Sequence, residues 1–65
     1  MTEQHARTIA PILGGCPWQP YPGLWLVLIH RDDGSFVIID RDAICAYDNV
    51  DAIEDSAPRF EIRLD

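Results

Sequence analysis

The fold of this chain is decided by the stretch LWLVLIHRDDGSFVIID, which spans residues 24–40. Residues 24–30 are apolar at almost every position, which favours a central strand covered on both faces. The pair Asp33-Gly34 predicts a hairpin with a type I′ turn, because that turn needs positive φ angles at both central residues. Residues 36–40 are rich in β-branched side chains and predict the return strand. The stretch therefore predicts an antiparallel hairpin at the centre of the protein.

A third strand and a short helix are expected after the hairpin. Residues 43–47 are short and apolar, as in a strand. Residues 48–56 fit one short helix, in which Asp48 or Asn49 caps the first turn and Pro58 ends the last. The inner face of this helix is expected to consist of three apolar side chains: Val50, Ile53 and Ala57.

The last segment, residues 59–64, alternates strictly between charged and apolar side chains. This period of two predicts an antiparallel strand with one face in water. Phe60, Ile62 and Leu64 are expected to face the core. The water-facing positions are expected to be Arg59, Glu61 and Arg63.

The first 23 residues predict less regular structure. Residues 2–10 fit two helical turns with Thr2 as cap and Pro11 as stop, whereas an extended edge segment over 8–13 is the alternative. Residues 14–23 hold three prolines and three glycines, which predict a Pro/Gly-rich loop without a regular element. The large side chains of Trp18 and Tyr21 should fix this loop against the core.

Together these elements predict one small α+β domain over residues 1–65. Its antiparallel sheet should have three to five strands, led by the 24–40 hairpin, with one or two short helices. Apolar residues make up 48% and charged residues 25% of the chain, which indicates a folded globule and not a disordered acidic tail. A core of this size leaves little room for a buried active site, so binding is favoured over catalysis.

Charge is distributed very unevenly along the chain. The last 34 residues carry ten carboxylates against three arginines, whereas the first 31 carry one carboxylate and two arginines, and lysine is absent. A net charge of −6 repels DNA, RNA and anionic lipid and attracts basic proteins, with an association rate that falls as salt rises. The sequence therefore predicts a basic protein partner, no direct nucleic-acid or membrane contact, and a monomer.

The acids after position 31 form the main candidate binding surface, to which the aromatic pair in the Pro/Gly-rich segment is added. Carboxylates at short regular intervals can imitate the phosphates of a nucleic acid. Asp48, Asp51 and Asp55 would share one face of the predicted helix. The candidate partner-binding residues are Asp32, Asp33, Asp40, Asp42, Asp48, Asp51, Glu54, Asp55, Trp18 and Tyr21.

Three interpretations of these residues remain open. The first is a small inhibitor that blocks the basic nucleic-acid-binding site of a partner, as DNA mimics do among phage and mobile-element anti-defence proteins such as anti-CRISPRs; this comparison rests on size and charge alone. The second is a non-inhibitory interaction module that binds through Trp18 and Tyr21 or through a sheet edge. The third is a solvated acidic face that only keeps the protein soluble.

Catalytic, metal and targeting patterns are weak. Cys16 and Cys45 lack the spacing of zinc ligands, and no residue near Cys16 in the sequence would activate its thiol. We therefore expect no enzyme activity, no catalytic residues, no metal and no cofactor. No segment resembles a signal peptide or a membrane span, so the expected location is the cytoplasm, where both cysteines would be free thiols.

Overall fold

The computed structural model describes residues 1–64 and has one antiparallel sheet in which five strands follow in chain order. The strands are β1 (Cys16–Tyr21), β2 (Leu24–His30), β3 (Phe36–Ile39), β4 (Ala43–Tyr47) and β5 (Phe60–Arg63). Two helices, α1 (Glu3–Leu13) and α2 (Val50–Glu54), precede β1 and β5. The predicted α+β class is confirmed.

The central hairpin is confirmed, but its turn differs from the predicted one. Strands β2 and β3 pair from His30 opposite Phe36. In the loop, only Gly34 has a positive φ, of 88°, and its N–H donates to the carbonyl of Arg31 over 3.1 Å. The turn is therefore a tight turn followed by a left-handed glycine, not type I′. Asp33 keeps a negative φ, and its carboxylate accepts a 2.9 Å hydrogen bond from the backbone N–H of Ser35.

The Pro/Gly-rich segment is not the irregular loop that its composition predicts. It forms strand β1, which pairs with β2 through Cys16, Pro17 and Trp18 and shifts register between Trp18 and Tyr21. An edge strand needs ladder hydrogen bonds on one side only, so the missing N–H groups of its prolines are tolerated there. The loop prediction was wrong because the cost of a proline depends on its place in the sheet.

Helix α1 begins as predicted and ends later. The hydroxyl of Thr2 accepts a hydrogen bond from the His5 N–H at the helix start. The helix continues through Pro11 to Leu13, so Pro11 is not its stop and the extended alternative for residues 8–13 is wrong. It ends at Gly14, whose φ of 75° is the left-handed conformation that terminates many helices. Pro11 is tolerated because it removes only one backbone bond near the last turn.

The core forms where α1 packs on β1 and β2. Ala6, Ala10 and Val27 are fully buried, since the small alanines let the helix approach the sheet closely. Gly15 is also close-packed, because a β-carbon there would lie 2.6 Å from the carbonyl oxygen of Leu28. We call the sheet surface that α1 covers in part the helical face. It carries Val27 and the residues that pair across from it, such as Pro17 and Ile39.

The apolar face of the last strand is not buried in the core as predicted. Phe60, Ile62 and Leu64 lie on the helical face but are 51%, 49% and 55% exposed. The reason is that α1 lies over β1 and β2 and does not reach β5. Helix α2 has only five residues and contacts β4.

The predicted inner face of the acidic helix also fails for two of its three residues. Val50 is 52% exposed and Ala57 is exposed, whereas Ile53 is half-buried. The N-cap is Asn49, one of the two predicted caps, whose side chain accepts a 2.9 Å hydrogen bond from the Ala52 N–H. A helix of this length presents too little apolar surface to cover a sheet.

Candidate functional site

The eight candidate acids lie at two opposite ends of the sheet. Phe36 pairs with Tyr47, so the 31–35 loop and the segment that begins at Asp48 are at the same end, which we call the hairpin end. The other end, the turn end, carries the connections at 22–23 and 40–42. The hairpin end holds six of these acids: Asp32, Asp33, Asp48, Asp51, Glu54 and Asp55.

Asp40 and Asp42 are at the turn end. The length of strand β4 separates them from the other acids by about 15 Å. The structure therefore does not bring the eight acids into one surface.

Four acids in the described part of the chain lie outside the hairpin end, and each has a cationic neighbour. The Asp42 carboxylate lies 3.9 Å from the Arg41 guanidinium, and that of Asp40 lies 3.7 Å from the Met1 amino group. Two further pairs, Glu3 with Arg7 and Glu61 with Arg63, have N–O distances of 2.7 Å. Exposed pairs of this kind contribute little to stability, but they neutralise the local field.

Charge at the hairpin end is mostly unpaired, since six acids there face two arginines, Arg31 and Arg59. Asp48 lies 3.7 Å from Arg59 and is the exception. None of the other five acids there forms an ion pair with any residue in the described range 1–64. We call these five the acidic end: Asp32, Asp33, Asp51, Glu54 and Asp55.

The acidic end is partly held in place by local hydrogen bonds. The Asp33 carboxylate accepts from the Ser35 hydroxyl over 2.5 Å and from the Ser35 N–H over 2.9 Å. The hydroxyl bond, followed by the backbone bond, lowers the pKa of Asp33 below its ordinary value of 3.8. This carboxylate is thus ionised and oriented at neutral pH.

The predicted helical face of three aspartates is reduced to two. Asp48 precedes the N-cap Asn49 and lies outside α2. Asp51 is in the first turn and Asp55 is the C-cap, so these two remain four residues apart on one side. Sequence spacing predicted a shared helix face but did not identify which of the acids an arginine neutralises.

Trp18 and Tyr21 are not close together, nor do they join the acidic end. Trp18 is half-buried in β1 opposite Leu26, on the sheet face away from α1. Tyr21 is 62% exposed at the turn end. Of the two, only Tyr21 offers a mostly free aromatic surface, and it lies at the opposite end of the sheet from the acids.

A shallow open depression of about 410 Å³ lies beside the 31–35 loop. Its lining includes His30, Arg31 and Asp32. The ring of His30 stacks on that of Phe36 with centroids 4.7 Å apart and planes 13° apart. This geometry fixes the imidazole against the sheet and offers a surface contact, not an enclosed reaction chamber.

The two cysteines lie far apart in the sheet. Cys16 is on β1 and Cys45 on β4, with two strands between them, which exceeds the reach of a disulfide. Burial, and then a hydrogen bond to Glu61, raises the pKa of the Cys45 thiol, so this thiol is a poor nucleophile at neutral pH. Within residues 1–64, no three histidine, cysteine or acidic side chains are grouped as a metal site would require.

Sequence reasoning missed the exposure of strand β5. All four of its residues are exposed, and among the described residues its outer edge faces no other strand. Alternation alone cannot find this feature, because it predicts that one face is apolar without saying whether another element covers that face. The shortness and acidity of the 48–56 segment were the available signal that cover was lacking.

Neither helix in residues 1–64 has the length and apolarity needed to span a membrane. No family model, curated protein or solved structure matches this chain.

Proposed function

We propose that this protein binds a basic partner protein through its acidic end and blocks the partner's nucleic-acid-binding site. The observation that supports this proposal is the absence of ion pairs at Asp32, Asp33, Asp51, Glu54 and Asp55 within the described chain, while acids elsewhere have cationic neighbours. Carboxylates without internal partners are available to the arginines and lysines of another protein.

The physical basis of inhibition is competition for the same cations. A nucleic-acid-binding groove attracts phosphates with clustered lysine and arginine side chains. A surface with several unpaired carboxylates is attracted to the same groove and is repelled by nucleic acid itself. This is the action of DNA mimics among phage and mobile-element anti-defence proteins, including anti-CRISPRs, and for this chain the comparison rests on size and charge.

Two neutralised variants with the same net charge test the proposal. The test variant combines Asp51→Asn, Glu54→Gln and Asp55→Asn at the acidic end. The control combines Glu3→Gln, Asp40→Asn and Asp42→Asn. It also neutralises three carboxylates, but these lie outside the acidic end. Both substitution sets keep side-chain size and lie on exposed or half-buried positions, so the fold should be retained.

The measurement has two stages. Tagged wild-type protein is used to capture binders from a lysate at low salt, with and without competing double-stranded DNA. A captured protein is then purified, and its DNA binding is titrated with wild type, test variant and control. We expect wild type and control to displace DNA and the test variant to act at least about tenfold more weakly. Equal inhibition by the test variant and wild type would refute the proposal.

A second candidate function is an interaction module that does not inhibit, and the 62% exposure of Tyr21 favours it. Tyrosine is enriched among the residues that dominate binding interfaces. In this case Tyr21→Ala should abolish capture, the acidic-end variant should bind normally, and raised salt should change binding little. Trp18→Ala is less informative alone, because Trp18 is half-buried and also stabilises the sheet.

A further inference from the structure

Within residues 1–64, strand β5 is a sheet edge that no other strand covers, and one of its sides is apolar and exposed. Phe60, Ile62 and Leu64 lie on the helical face and are each about half exposed. Glu61 and Arg63 lie on the other face and pair with each other over 2.7 Å. The opposite edge strand, β1, contains Pro17 and Pro20, which lack the N–H groups that a further strand would need.

The backbone of β5 has unpaired hydrogen-bonding groups at Glu61 and Arg63, as the bonding pattern towards β4 shows. The Leu64 N–H donates to the Asp42 carbonyl over 2.9 Å, so residue 64 is bonded towards β4. In an antiparallel ladder the bonded positions alternate, which turns Ile62 towards β4 as well. The N–H and C=O groups of Glu61 and Arg63 therefore point outwards from the edge.

The side chains of β5 are complementary to those of a second copy of β5 that runs in the opposite direction. Ile62 is the central residue of the segment 60–64. Reversing the segment about Ile62 exchanges Phe60 with Leu64 and Glu61 with Arg63. In an antiparallel pair centred on Ile62, Glu61 would oppose Arg63 of a second copy on one face. On the other face, Phe60 would oppose Leu64 and Ile62 would oppose itself, so each cross-strand pair is favourable.

We propose that β5 pairs antiparallel with β5 of a second copy of this chain, about a two-fold axis at Ile62, to form a continuous ten-stranded sheet. The outward backbone groups fit this register, because Glu61 and Arg63 of opposite copies form the hydrogen-bonded pairs. The central Ile62 pair is then of the closer, non-bonded kind. This inference is independent of the proposed function, since it uses a different surface.

Charge selects this register over its neighbours. A pair centred on Glu61 places two glutamates opposite each other, and one centred on Arg63 places two arginines opposite each other. A shift by one residue turns charged side chains towards apolar ones. A pair centred on Phe60 sets Glu61 opposite Arg59 but leaves Ile62 opposite Pro58, outside the strand. The register centred on Ile62 is therefore the one that matches both faces along the whole of β5.

The two-fold arrangement also reduces the repulsion between two chains of charge −6. Antiparallel pairing directs the two acidic ends away from each other, to opposite sides of the axis. The interface is isologous, and the prolines of β1 disfavour further growth, so a closed dimer is expected and not a fibre. This expectation replaces the monomer that net charge alone favours.

Charge reversal and its rescue test the proposal. Sedimentation equilibrium over a range of concentrations should show wild type approaching twice the 7.4 kDa chain mass. The variants E61R and R63E each place like charges opposite each other and should weaken dimerisation at least about tenfold. The double variant E61R/R63E restores opposite charges and should dimerise like wild type. An equimolar mixture of the two single variants should form a heterodimer.

Two further results make the test decisive. I12K is a control, because Ile12 is 78% exposed on α1 and lies outside the interface, and it should leave the dimer intact. In a C16S/C45S background, I62C should form an intermolecular disulfide on oxidation, whereas L64C should not, because it would oppose Phe60. A wild type that stays monomeric up to millimolar concentration, or single reversals that dimerise normally in folded protein, would overturn the proposal.

Discussion

The half of the molecule built from α1, β1 and β2 and the half built from β4, α2 and β5 bury their apolar residues very differently. In the first half, Ala6, Ala10 and Val27 are fully buried, whereas Phe60 and Ile62 in the second are about half exposed. Helix α1 has eleven residues and approaches the sheet through alanines. Helix α2 has five and carries acids. We infer from this difference that stability is concentrated in the first half, whereas the second half leaves apolar surface exposed.

The largest difference in the free energy of unfolding should appear when the same Val→Asp substitution is made in each half. Val27→Asp buries a carboxylate among apolar side chains, which should cost more than about 4 kcal/mol and unfold a domain of this size. Val50→Asp makes the same change at a position that is 52% exposed in the first turn of α2. There a carboxylate is favoured by the helix dipole, so stability should change by less than about 0.5 kcal/mol.

Urea unfolding followed by circular dichroism measures both variants. If Val27→Asp unfolded with the same midpoint as Val50→Asp, the proposed concentration of stability in the first half would be wrong.

A smaller effect should distinguish the two helix caps. Thr2→Ala removes the side-chain acceptor for the His5 N–H and should lower the free energy of unfolding by about 1 kcal/mol. Asn49→Ala removes the equivalent bond to Ala52, but α2 contributes little packing, so the global cost should be below about 0.5 kcal/mol. The loss at Asn49 should appear instead as faster hydrogen exchange at the amides of α2.

Hydrogen exchange by NMR, combined with urea unfolding, checks this pair of variants. Equal losses of global stability would mean that α2 folds as one unit with α1.

The features that sequence predicts well are those set by neighbouring residues. The hairpin between Leu24 and Ile39 and the cap at Thr2 follow from local pattern and turn chemistry, and both are confirmed. Strand β1 was not predictable in this way, because Pro17 and Pro20 exclude a central strand but not an edge. The turn type also failed, since type I′ needs positive φ at both Asp33 and Gly34 and only Gly34 adopts it.

The candidate surfaces show the same limit. The sequence gives the positions of the acids, but the pairing of Asp48 with Arg59 joins segments on either side of α2. Likewise, the alternation from Phe60 onwards predicts an apolar face, yet its exposure depends on how far α1 extends over the sheet. Both properties arise from packing between distant segments.

The smallest expected effect concerns the acidic end itself, where Asp33 is held by Ser35. Because the pKa of Asp33 is lowered in the folded chain, this carboxylate contributes stability that is present above its ordinary value of 3.8. The contribution is lost as the pH falls through the lowered folded-state pKa. Ser35→Ala removes the hydroxyl bond, which is the main cause of the shift, but keeps the backbone bond.

An NMR titration of the Asp33 side chain should therefore find the pKa below 3.8 in wild type and closer to that value in Ser35→Ala. The matched control is Thr8→Ala, whose hydroxyl bonds only to the Gln4 carbonyl in α1 and should leave the Asp33 pKa unchanged. An Asp33 pKa that is the same in wild type and Ser35→Ala would mean that the hydroxyl does not orient this carboxylate. The acidic end would then present Asp33 as a mobile charge, and binding there would depend on α2 and its flanking acids alone.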